Sequence, residues 1–185
     1  MIRATTRQTT DQLMLVISGP SGEGKDSVVR ALLEQDHKLC FVVTTTTRSR
    51  RKDEIHGRDY YFVSHSDFQR MMAAGELVEH AVVYGDHKGI TSKGIQKAID
   101  SGRDVVLRVD VQGAATIKTL YKHSVLLFLT PGSEEQLLNR LQARKSENSD
   151  SIQERIATAF EEYSKKDKFD YIVVNRINDL DSTVD

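Results

Sequence analysis

Seven residues constrain this chain more than any others: Gly19-Pro20-Ser21-Gly22-Glu23-Gly24-Lys25 fits the pattern G-x-x-x-x-G-K. The segment before it, Leu13 to Ser18, is a short apolar run of the kind that forms a strand buried on both faces. The segment after it, Asp26 to Glu34, carries Val28, Val29, Leu32 and Leu33 at helical spacing. A strand, a glycine-rich turn and a helix form the context in which this pattern binds phosphate. Its glycines let successive backbone N–H groups face one anion, the helix N-terminus adds positive potential, and Lys25 supplies a point charge. The loop residues Gly19 to Lys25, with Asp26 and Ser27, are therefore candidate nucleotide-binding residues.

The rest of the chain alternates in the same way. Strands are expected at 39–46, 60–63, 77–83, 104–110, 124–129 and 171–174. Helices are expected at 66–74, with Ser66 as cap, and at 91–102, 114–120, 133–142 and 152–163. This is an α/β pattern with a central parallel sheet flanked by helices, and its ligands belong at the carboxyl ends of the strands. A small β-rich insertion falls at 44–88, and the polar stretch around 142–152 reads as a lid. Residues 1–11, polar and Thr-rich, read as a disordered N-terminal segment. The remainder, 12–185, reads as one domain, with its core at 12–43 and 89–185. The C-terminal NDLDSTVD reads as the start of a docking helix.

Composition narrows the function classes. The 185 residues hold 26 basic and 27 acidic side chains, net −1, which argues against a nucleic-acid-binding surface. A single cysteine, Cys40, excludes an intrachain disulfide and suits a reducing compartment. No apolar run approaches the ~20 residues needed to cross a bilayer. The residue after Lys25 usually carries a magnesium-binding hydroxyl. Here it is Asp26, followed by Ser27. Three readings of Asp26 stand open: a magnesium ligand, a partner of a nearby arginine, or an acid that favours the helix dipole.

Four segments together resemble guanylate kinases over about residues 13–175: GPSGEGKDSV, TTTTRSRRKDEIHGRDYYFVS, VEHAVVYGDHKGI and VVLRVDVQGAATIK. They most resemble the forms of plant organelles and related bacteria. The resemblance implies a P-loop NTPase fold with a GMP-binding insertion and a short helical lid. It implies reversible transfer of the ATP γ-phosphate to GMP or dGMP with Mg2+, in purine nucleotide metabolism. The partners expected are these nucleotides, with no nucleic acid and no membrane, for a monomer or weak homodimer. A cytoplasmic location, or an organelle stroma or matrix, fits equally.

By the same resemblance, Arg48 and Arg51 grip the GMP phosphate, Glu54 holds both arginines, and Tyr60 binds the phosphate. Lys88 stands where the family has a second tyrosine. Glu79 and Asp110 match the acids of the guanine pocket, and a carboxylate there accepts from guanine N1–H and its amine, which adenine cannot offer. Thr44 stands for a serine that meets guanine O6. Ile90 replaces another pocket serine, with Thr91 beside it. Arg140, Arg144 and Arg155 match arginines around the ATP phosphates and lid. Asn175 matches a residue near adenine. Lys25, Arg48, Arg144 and Arg155 are the expected catalytic residues, and Asp26 and Ser27 the expected metal ligands. Arg108 replaces an acid common in the family, and the fold sets that strand end beside the phosphate loop. Asp26 and Arg108 are therefore expected to form an ion pair. Two alternatives stand beside this reading: a ribose 1,5-bisphosphate phosphokinase, and a non-catalytic guanylate-kinase-like binding domain.

Overall fold

The computed structural model describes residues 12–83, 85–143, 149–176 and 179–185, with the side chains of 142–143, 149–152, 154 and 155 excepted. The expectations for residues 1–11 and for most of the lid lie outside the described residues. Five strands form a parallel sheet in the order β2 (Leu39–Phe41), β7 (Asp104–Arg108), β1 (Met14–Ser18), β8 (Val125–Thr130) and β9 (Tyr171–Val174). The strand β1 is central because its side chains are apolar on both faces. Met14 and Val16 pack with Val105, Leu107, Ala114 and Ile117 on one face. Ile17 packs with Val28, Val29, Val106 and Leu129 on the other. The helix α1 (Lys25–Gln35) covers the second face, and α3 (Ser92–Asp100) and α4 (Val111–Leu120) cover the first.

The second sheet has the order β4 (Tyr61–Phe62), β3 (Thr45–Thr46), β6 (Asp86–Thr91), β5 (Leu77–Val83), with α2 (His65–Ala73) against it. It differs from the sequence expectation in two ways. The run 39–46 is not one strand. Its first half pairs with β7, Val42 makes a last backbone bond to Val106, and β3 then joins the other sheet. Secondly, β6 is a strand although DHKGIT has little strand propensity. It forms because β5 supplies an antiparallel partner from Leu77 to Val83. Gly89 sits where a Cβ would meet the Glu79 carbonyl, Leu77 and Phe68 at 3.0–3.1 Å.

Helix starts also shift. Ser64, not Ser66, caps α2 by accepting from the Asp67 N–H. Asp110 caps α4, which begins three residues before the expected Ala114. The helix α5 (Glu134–Ala143) packs on α6 (Ser149–Tyr163) through Leu137, Leu141 and Ala159, and α6 also starts three residues early. At the C-terminus α7 (Asp181–Val184) is a single turn, which lays Val184 with Leu180 against the α1 face of the sheet.

Candidate active site

The phosphate loop leaves β1 at Ser18 and enters α1 at Lys25. Its shape needs glycine at both ends. Gly19 has φ +137°, and a Cβ there would lie 2.3 Å from the Leu129 carbonyl oxygen. Gly24, at φ +72°, is the left-handed cap of α1. Lys25 folds back over the loop and donates from Nζ to the carbonyls of Gly19 and Pro20 at 2.5 and 2.7 Å. Burial lowers the Lys25 pKa, opposed first by Glu162 and then by Asp26.

A cavity of about 240 Å³ opens beside this loop, at the carboxyl ends of β1 and β7. It joins the two sheets. Gly19, Ser21, Gly22, Glu23, Gly24, Lys25, Asp26 and Ser27 line the end formed by the phosphate loop. Thr44, Arg48, Arg51, Tyr60, Glu79, Lys88 and Asp110 line the rest. The chain thus gathers around one space residues that lie as far apart in sequence as 19 and 162.

The expected ion pair forms. Arg108 Nη1 donates to Asp26 Oδ1 at 2.5 Å, and its other nitrogen donates to the Asp59 carbonyl at 2.8 Å. Burial raises the Asp26 carboxyl, but Arg108 and then Lys25 outweigh it and hold the carboxyl below its ordinary range. Opposite them, Glu54 joins the two arginines. Its Oε1 accepts from Arg48 at 2.6 Å and stands 4.0 Å from Arg51 Nη1, while Oε2 accepts the Arg51 N–H. Arg48 also lies over Tyr60, 5.3 Å from the ring centroid. These arginines are held ready as forks for an anion, with part of Arg51 exposed.

The far wall is acidic. Glu79 is 6% exposed, and burial, then the charge of Asp110, push its pKa up to about 8. A bulge in β5 between Leu77 and Glu79 sets its place on the strand. Its carboxyl lies against Gly113, where a Cβ would come within 2.8 Å. Asp110 accepts the Gly113 N–H at 2.8 Å, so it caps α4 and faces the cavity at once. Thr44 donates its hydroxyl to the Arg108 carbonyl at 3.2 Å. Burial, then Lys25 and Arg108, lower Lys88 to about 8.

Other expected residues stand apart from the cavity lining. Thr91 spends its hydroxyl on capping α3 at Gly94 N–H, and Ile90 is fully buried in the core. Arg140 pairs with the fully buried Glu23 at 2.6 Å and also donates to the Asn175 carbonyl. Asn175 donates from Nδ2 to the Glu23 carbonyl. Both brace the loop and are absent from the cavity lining. Arg144 and the Arg155 side chain lie outside the described residues. Among the described residues, no group of three or more His, Cys, Asp or Glu is placed to hold a metal. Asp26, half exposed, and the exposed Ser27 suit an ion that takes most of its ligands from phosphate.

Glu162, Asp86 and Val83 line the cavity although the sequence did not single them out. Glu162 accepts a backbone N–H from Ser21, and burial raises its pKa while Lys25 pulls it down. No local motif marks it, because α6 reaches the loop only through the tertiary packing.

The profile of one protein family, described as Guanylate kinase, matches residues 11–185. Guanylate kinase 2, chloroplastic/mitochondrial, of Oryza sativa subsp. japonica is 47% identical over 93% of this chain; the chain spans 61% of that relative's length. The guanylate kinase of Nitrosomonas europaea is 43% identical, over 88% of this chain and 81% of its own. The crystal structure of guanylate kinase from Anaplasma phagocytophilum superposes with a TM-score of 0.76 at 34% identity, covering 94% of this chain and 80% of that one.

Proposed function

The chain belongs to the guanylate kinase family, and from that premise we propose that it transfers the ATP γ-phosphate reversibly to GMP or dGMP, giving ADP and GDP or dGDP. The observation that carries this reading is the shared cavity: phosphate loop and Lys25 at one end, Arg48, Arg51 and Tyr60 between, Glu79 and Asp110 at the far wall.

The donor phosphates lie on the backbone N–H groups of the loop, with Lys25 neutralising them. Lys25 swings from the Gly19 and Pro20 carbonyls to the phosphates. The acceptor phosphate lies between Arg48 and Arg51, whose forks are fixed by Glu54. One of its oxygens attacks the γ-phosphorus in line. The bond from that phosphorus to the ADP oxygen breaks, and ADP leaves with the electron pair. No covalent enzyme intermediate is needed, and the rate comes from positioning and charge neutralisation. A magnesium ion carried with ATP supplies further neutralisation, and Asp26 and Ser27 are the residues that would hold it, directly or through water. Arg140, Arg144 and Arg155 belong to the donor side in this reading, and Asn175 lies near the donor base. Lys88 faces the acceptor phosphate in place of a tyrosine, whereas the Thr91 hydroxyl is taken up by the cap of α3 and has no part in this reading.

Glu79 and Asp110 choose the base. A carboxylate that meets adenine instead of guanine is left buried without its two donors, which discriminates strongly. Neither a sugar bisphosphate nor a phosphopeptide uses such a wall, so neither alternative is favoured. The same reading puts the enzyme in purine nucleotide metabolism, in a cytoplasm or an organelle interior. Among the described residues no helix is long and apolar enough to cross a membrane. An ADP-release assay with GMP, dGMP, AMP and ribose 1,5-bisphosphate as acceptors tests the proposal. Turnover with the two guanine nucleotides alone supports it, and turnover with the sugar bisphosphate alone overturns it.

A further inference from the structure

Arg108 touches three parts of the molecule with one buried guanidinium, 6% exposed. One nitrogen holds Asp26 in the first turn of α1, and another holds the Asp59 carbonyl in the acceptor-binding insertion. The Tyr60 ring lies under its Cζ at 4.2 Å, and Phe41 at 5.1 Å. A second tie runs beside it, because Arg30 Nη2 meets Asp59 Oδ1 at 3.1 Å. Asp26 and Arg30 are four residues apart, so one face of the donor helix carries both ties. No such linkage is needed to hold phosphate at either end.

We propose that Arg108 is a positioning residue that couples the two halves of the site, so that a nucleotide in the phosphate loop tightens binding of the acceptor. This rests on the guanylate kinase reading above. Donor phosphates settle beside Lys25 and bring negative charge next to Asp26. The Asp26 carboxylate is driven toward Arg108, and the pair tightens. The guanidinium is planar and both of its ends are engaged, so tightening at Asp26 also fixes Asp59 and Tyr60. The acceptor phosphate then meets a cradle whose ordering has already been done. Lysine can donate to two acceptors from one nitrogen, but it has neither the planar fork nor the flat face that lies on Tyr60, so its two ties would not move as one rigid unit.

The test measures GMP Kd by calorimetry, with the protein alone and saturated with a non-hydrolysable ATP analogue. In the wild-type chain the analogue is expected to tighten GMP about fivefold or more. In Arg108→Lys, which keeps a positive charge beside Asp26, that factor falls to about one while the Kd of the analogue itself changes by less than about twofold. In Arg108→Met the factor also falls to about one, and the analogue binds more weakly because Asp26 is left unpaired beside the phosphates. Asp26→Asn lowers the factor too, and the double variant Asp26→Asn with Arg108→Lys loses no more than either single change. Arg108→Met removes a buried charge and its stability is open to change. Asp26→Asn, at a half-exposed position, therefore provides the second arm. A wild-type factor of one with normal GMP binding overturns the coupling, as does a folded Arg108→Lys or Asp26→Asn that keeps the full factor. A wild-type chain that does not bind GMP overturns the guanylate kinase reading itself.

Discussion

At the scale of single residues, charge is shared out so that each group in the cavity leans on another. Lys25 sits in buried surroundings that lower its pKa, and Glu162 and Asp26 act against that. Its replacement by alanine removes the charge that, in the proposed mechanism, meets the donor phosphates. Lys25→Ala is expected to cut kcat by about a thousandfold or more, and a steady-state kcat within tenfold of wild type would contradict this. Glu79 makes a second prediction. With its pKa at about 8 the free protein holds it mostly protonated at pH 7. Accepting from two guanine donors requires the ionised form, so GMP binding is expected to release close to one proton at pH 7. Calorimetry in buffers of different ionisation enthalpy reads that number. Lys88, also near 8, takes up only a small fraction in the opposite sense. Glu79→Gln abolishes the release and weakens the preference for GMP over AMP. The Asp26–Arg108 pair was legible because each residue departs from a pattern in a complementary way. Glu162 was not, since nothing around it in FEEYSKK distinguishes it from an exposed helix acid.

At the scale of elements, an apolar run announces that a strand exists, but the partner decides where it ends and which sheet it joins, as the split of 39–46 shows. The apolar runs of β1, β7 and β8 announce buried parallel strands, whereas β6 exists only through its partner β5. The early start of α4 is a capping event at Asp110, and it is also what brings Gly113 against Glu79. Gly113→Ala therefore has two opposed effects. Helix propensity improves by about 1 kcal/mol, while the new Cβ meets the Glu79 carboxyl at 2.8 Å and Val109 Cβ at 3.0 Å. The carboxyl end is flexible and swings away, so the expected result is a Tm within a few degrees of wild type. KM for GMP is expected to rise by about tenfold with kcat less affected, because the acid that moves is the one proposed to meet the acceptor base. Unchanged KM would show that Glu79 does not face the base.

Over the whole molecule, two sheets meet at a cavity, and both kinds of perturbed acid stand on its walls or behind them. Glu54 and Asp59 have lowered pKa values because arginines hold their carboxylates against the cost of burial. Their stabilising contribution is full above the ordinary carboxylate range and is lost as pH falls through the lowered values. Glu79 acts in the opposite direction. Its native pKa of about 8 exceeds the ordinary 4.5, so the unfolded chain gives up this proton first. Stability is therefore expected to fall as pH rises from about 4.5 to about 8, by a few kcal/mol at most. Denaturant unfolding of the free protein across that window checks the slope, which Glu79→Gln flattens. Lys88 works between about 8 and its ordinary 10.5, outside the window.

The local pattern of GPSGEGK between an apolar strand and an amphipathic helix settled the phosphate loop, because its chemistry is made by neighbours along the chain. The order of strands and helices likewise settled the α/β class. The cavity is different. Lys25, Arg48, Glu79, Asp110 and Glu162 become neighbours only when β3 leaves the first sheet for the second, β5 bulges and α6 packs back on the loop. Those are choices between competing pairings and packings over more than a hundred residues. No short stretch of sequence holds the energy that decides them.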